Sequence, residues 1–138
     1  MSERLLLCIV LFGLTPYSIQ ASTLMTYRQC QQIAQSVIDE LAGQMIDDVT
    51  KVSAASCSSD VTFTYEYEIT DTSISKEDFV DGTAQLRTSI MTPWCSEDVD
   101  DDMAYFFSKV RALRYRYVRS DGVYLGAILF SSKDCMAF

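Results

Sequence analysis

Val61, Phe63, Tyr65, Tyr67 and Ile69 alternate without a break with Thr62, Thr64, Glu66 and Glu68. A period of two places every apolar side chain of an extended strand on one face and every polar one on the other. Such a strand lies on the boundary between a core and water. The chain must therefore build a sheet with one face covered and one face wet, and it needs other elements to roof the apolar side.

The neighbouring segments supply those elements. Thr23 to Ala42 carries Leu24, Tyr27, Ile33, Ala34, Val37, Ile38 and Leu41 at helical spacing, with Cys30 beside the stripe, and Gly43 ends it. Met45 to Ser56, through Val49 and Val52, suits a short strand. Ser58, Ser59 and Asp60 then form a turn into the alternating segment, which makes a hairpin. Ser75 begins a second helix with Glu77 and Asp78 in its first turn, where they complement the helix dipole. Phe79, Thr83, Leu86 and Ile90 form its inner face, and Pro93 stops it. Ser96 caps a short helical extension carrying Val99, Met103, Phe106 and Phe107. Leu113, Tyr115 and Tyr117, alternating with Arg114 and Arg116, lead through Ser120-Asp121-Gly122 to Val123–Phe130. Asp-Gly between alternating apolar residues is a strong hairpin signal. The predicted class is α+β: N-terminal helix, β-hairpin, helix with short extension, C-terminal β-hairpin, with the helices packed on one antiparallel sheet.

Residues 1–21 read as a cleaved signal peptide: Arg4, the apolar run Leu5–Leu14, then a polar stretch ending at Ala21. The apolar run is half the length of about 20 residues that a membrane-spanning helix needs. Cys8 sits inside it with no small residues before it, so it does not read as a lipidation site. Residues 22–138 then form one domain, periplasmic or secreted. Losing Glu3 and Arg4 leaves ten basic and eighteen acidic side chains, so the net charge stays at −8. That balance argues against nucleic acid and against anionic membrane surfaces, and no stable membrane insertion is expected after cleavage. Cys30, Cys57, Cys95 and Cys135 remain, an even number in an exported chain, which reads as two disulfides with three pairings open. Zinc is the weaker reading, because no CxxC and no histidine occurs.

The stretch TPWCSEDV around Cys95, Met103–Phe107, Leu113 with Tyr115 and Tyr117, Asp121-Gly122 and SSKDC around Cys135 together resemble a known arrangement. It is that of type II secretion pilotins of the small α+β kind, and of a set of small exported bacterial α+β proteins of unknown function. MIDDVTKV and VTFTYEYEI fit the second group better. The resemblance implies the fold and a Cys95–Cys135 disulfide, which leaves Cys30–Cys57 as the other pair. Pilotins of this kind are lipid-anchored, and this sequence shows no lipobox cysteine.

Catalysis finds little support in the residues. Histidine, the usual general base, is absent, and no GxSxG, supported SxxK or glycine-rich phosphate loop occurs. The acidic run Glu97, Asp98, Asp100, Asp101 and Asp102 lacks the alternating spacing of a calcium loop, and acids at a helix start suit the dipole. No cofactor or metal is implied. Two contact surfaces stand out instead. Trp94, Tyr105, Phe106 and Phe107 cluster near a chain reversal, and the consecutive Tyr105, Phe106 and Phe107 cannot all point inward from one helix, because successive residues are about 100° apart. Glu66 and Glu68 match Arg114 and Arg116 on the polar faces of two strands and would pair if those strands were neighbours. The expected function is non-enzymatic: an exported protein, pilotin-like or accessory, that binds another protein. The alternatives are an inhibitor or immunity protein against a toxin or peptidase, and a small cell-envelope hydrolase using carboxylates.

Overall fold

The structure, a computed structural model, describes residues 23–138. The predicted signal peptide lies outside the described residues. Helix α1 spans Tyr27–Leu41, β1 Thr50–Cys57, β2 Thr62–Ile69, α2 Lys76–Asp81, α3 Thr83–Cys95, α4 Asp101–Lys109, β3 Ala112–Arg119 and β4 Tyr124–Phe130, and a 3₁₀ turn covers Ser132–Ala137. This is an α+β fold.

The strands lie in the order β1-β2-β3-β4. Both hairpins form, β1 with β2 and β3 with β4, each antiparallel. The join between them corrects the expected antiparallel sheet, because β2 and β3 run parallel over eight residue pairs from Thr62↔Ala112 to Ile69↔Arg119. The cause is the connection. Residues 70–111 contain three helices and cross from the end of β2 back to its start, and a crossover of that length is what a parallel pair requires.

Residues of α1, α3 and α4 share one buried cluster with the sheet residues Phe63, Leu113, Ile128 and Phe130. Phe79 of α2 packs with Val52, Tyr67, Ile69, Tyr117 and Leu125. Every apolar residue of the alternating segment therefore faces the helices. At the start of α1 Thr26 forms a capping box: its hydroxyl accepts from the Gln29 N–H at 3.1 Å, and the Gln29 side chain accepts from the Thr26 N–H at 3.0 Å. The single helix expected from Ser75 to Pro93 is two helices that break at Gly82, and α3 runs through Pro93 to end at Cys95. Proline ends a helix by removing a hydrogen bond from the preceding turn, and here the helix stops within two residues of it.

Cys30 is joined to Cys57 and Cys95 to Cys135. The first bridge fastens α1 to the end of β1. The second fastens the end of α3 to the terminal turn. In the turn between β1 and β2, Val61 adopts φ +65°. A β-branched residue held there costs about 1–3 kcal/mol, which burial of its side chain in the core offsets.

Candidate partner-binding surfaces

The second face of the sheet carries Thr62, Thr64, Glu66 and Glu68 of β2 and Arg114 and Arg116 of β3. Among the described residues no helix shares a buried cluster with it. The parallel register sets Glu66 beside Arg116, with 2.7 Å between Oε2 and Nη1. Arg116 also places its guanidinium 5.0 Å from the ring centre of Tyr124. The hydroxyl of Ser53 donates to the Glu66 carbonyl at 3.3 Å. A polar row thus crosses all four strands, Ser53–Glu66–Arg116–Tyr124.

Glu68 does not meet an arginine. Val118 lies opposite it on β3, and its carboxylate pairs with Lys51 of β1 at 3.6 Å. Arg114 sits between Thr64 and Leu129 in register and belongs to no ion pair of the described residues. One of the two expected glutamate–arginine pairs therefore exists. The other two residues are separated because parallel strands advance together, so Glu68 lies two residues beyond the level of Arg116.

Below this row, at the start of β3 and the end of β4, lies an open groove of about 800 Å³ lined by Asp60, Thr62, Arg111, Arg114, Leu129 and Lys133 among others. Arg111 Nε donates to the Asp60 carbonyl at 3.0 Å. The Asp60 carboxylate accepts from the Ser58 hydroxyl and from the Thr62 N–H. These hydrogen bonds, that from Ser58 foremost, hold it below the usual aspartate range. Leu129 is 49% exposed. Periodicity does not bring Arg111, Lys133 and this leucine together, because the groove is assembled from segments distant in sequence.

The aromatic group separates into buried and exposed members. Trp94 and Phe107 are buried; the Trp94 indole N–H donates to the Tyr115 hydroxyl at 2.8 Å, and its ring lies 5.4 Å from Phe107. Phe106 packs edge-on against Phe63 at 5.1 Å. Tyr105 alone of the four points outward, 66% exposed, with Lys109 Nζ 5.6 Å from its ring centre. It borders a second groove of about 480 Å³ between α1 and α4, with Leu24, Gln29, Gln32 and Ile33. Of the expected aromatic surface, Trp94, Phe106 and Phe107 are instead core. Helix α4 presents one stripe to the sheet, and the residue beside that stripe faces water.

The acidic run has a local role. The Asp100 carboxylate accepts from the N–H groups of Asp102 and Met103 and caps α4, with Asp101 and Asp102 in the first turn. Among the described residues no group of three or more candidate ligands could hold a metal, and no helix is long and apolar enough to cross a membrane.

No protein-family model and no curated protein matches the sequence. Two solved structures share the fold. The chain aligns with a presumed secreted protein of Pseudomonas aeruginosa at TM-score 0.60 and 10% identity, over 79% of this chain and 95% of that one. With the pilotin of the Vibrio vulnificus type 2 secretion system, EpsS, the TM-score is 0.59 at 14% identity, over 79% and 90%. At these identities the likeness is one of fold.

Proposed function

We propose that this chain is an exported, non-enzymatic accessory protein that acts in the periplasm, after removal of residues 1–21, by binding another protein. The observation that carries the reading is the open face of the sheet: a polar row across four strands with a groove at its foot, in a fold that a secretion pilotin also uses. Two disulfides suit an oxidising compartment. The carboxylates expected of a hydrolase are occupied elsewhere, Glu66 and Glu68 in ion pairs and Asp100 in a helix cap. The polar row suits protein contact because its charges are already paired and lose little on being covered.

Site-specific photo-crosslinking in the native cell tests this. Probes at Ser53 and Leu129, on the open face, are expected to yield the same discrete protein adduct, and a probe at Gln31 on the outer side of α1 is expected to yield none. Adducts from Gln31 alone, or no adduct together with turnover of a cell-envelope substrate by the purified protein, would overturn the reading.

A further inference from the structure

Six of the ten basic side chains between residues 23 and 138 lie outside every ion pair of the described residues, and three of those six line one groove. These are Arg111, Arg114 and Lys133. The groove's two acids are already engaged: Asp60 accepts from Ser58 and Thr62 and interacts electrostatically with Arg111, and Asp134 accepts from the Ser131 N–H at 2.7 Å and lies 3.9 Å from Arg87. A molecule of net charge −8 thus holds a concave spot with three cations to two acids, where Arg114 and Lys133 belong to no ion pair of the described residues. Concavity between low-dielectric walls strengthens such a field.

We propose that this groove docks a short acidic segment of a protein partner, its carboxylates on Arg111, Arg114 and Lys133 and an apolar side chain on Leu129. The proposal rests on the reading of the open face as the partner surface and names the chemistry that face selects. Two features narrow the occupant. Leu129 stands beside Arg114 in register, so the site offers apolar contact next to charge, which a simple inorganic anion would not use. The Leu129 carbonyl on the outer edge of β4 already accepts from Arg87 Nη1 at 2.8 Å. An incoming strand therefore finds that acceptor taken, and the segment is held by its side chains. A long polyanion such as nucleic acid would have to run past Glu66, Glu68 and the acids of an acidic protein, so a short segment is favoured. The groove's volume lies in the range of sites that hold compact ligands.

The test uses the disulfide-intact protein, isotope-labelled for NMR, and a short capped peptide alternating glutamate with leucine. Chemical-shift changes are expected at Arg111, Arg114, Leu129 and Lys133, with binding that weakens as salt rises. Arg114→Glu and Lys133→Glu should each weaken the peptide about tenfold, while Arg28→Glu on α1 should leave it unchanged; circular dichroism confirms that each variant is folded. The glutamine version of the peptide should not bind. Loss of affinity in Arg28→Glu equal to that in Arg114→Glu, shifts elsewhere only, or equal competition by inorganic phosphate or by phosphatidylglycerol vesicles would overturn the assignment. If the peptide fails while open-face crosslinking persists, the acidic-segment assignment falls and the partner surface stands. If both fail, both fall.

Discussion

The indole N–H of Trp94, near the end of α3, donates to the hydroxyl of Tyr115 in the middle of β3 at 2.8 Å. This one bond ties the crossover to the strand it leads into, from inside the core. Removing the acceptor leaves a largely buried donor without a partner, which costs about 1–3 kcal/mol. Tyr115→Phe should therefore lower stability by that amount in urea unfolding, despite losing only one oxygen. The added loss should vanish in the Trp94→Phe background, where no donor remains to be stranded.

Tyr65, Tyr67, Tyr115 and Tyr117 line the covered face of β2 and β3, and burial pushes all four phenols up from the usual value of 10. For Tyr115 the value is about 12, burial outweighing the opposing hydrogen bond from Trp94. The folded protein keeps these phenols protonated where the unfolded chain has ionised them. Their contribution is intact below pH 10 and is lost as pH rises from 10 through about 12, each group removing about 1.4 kcal/mol per pH unit in that window. Tyrosinate absorbance and loss of helix signal should appear together in a steep alkaline transition. Phenols that titrate near pH 10 in a still-folded protein would contradict this.

The two disulfides close loops of 27 and 40 residues. In the chain-entropy model these are worth about 3.5 and 4 kcal/mol. A Cys30→Ser/Cys57→Ser double variant and a Cys95→Ser/Cys135→Ser one should lose stability by those amounts in denaturant titrations. Non-reducing peptide mass spectrometry of the native protein should show only the 30–57 and 95–135 linked peptides.

Gly126 has φ +156°, and a Cβ there would stand 2.7 Å from Cε1 of Phe79. The Phe79 ring also packs on Tyr117 at 5.2 Å, so it cannot withdraw without losing that contact. Gly126→Ala should cost about 1–3 kcal/mol by overpacking. Combined with Phe79→Ala it should cost less than the sum of the two changes, as thermal unfolding of the four proteins would show.

The Glu66–Arg116 pair is short but about one-third exposed on both sides. A double-mutant cycle with alanine at both positions should return roughly 0.5 kcal/mol or less, falling further in high salt. A coupling several times larger would mean that this face is less wet than its exposure indicates.

How much of this was legible in the residues depends on the range over which each feature is decided. The alternation from Val61 to Ile69, the Asp121-Gly122 turn, the stripe of α1 and the exposure of one residue among Tyr105, Phe106 and Phe107 follow from local periodicity, because 3.6 and 2 residues per repeat are properties of the backbone itself. The apolar–polar division of the sheet follows too, although Thr62 and Thr64 on the polar face are themselves buried. The break at Gly82 is not legible in the sequence because the apolar spacing runs on across it, and Pro93 lies inside α3 rather than beyond it. The disulfide pairing was reached only through resemblance, because four cysteines by themselves leave three arrangements.

The parallel joining of β2 to β3 belongs to the tertiary structure alone. Nothing in either strand states its direction relative to the other; residues 70–111 decide that by packing three helices on one face and returning the chain to the start of β2. That return selects Arg116 as the partner of Glu66, and it leaves Arg114 in no ion pair of the described residues. It also brings Asp60, Arg111, Arg114, Leu129 and Lys133 to a single groove. The sequence by itself determined which face of each element avoids water, because that is set residue by residue. Which elements lie side by side was decided only by the packing of the whole chain, because contacts between distant segments leave no local period to read.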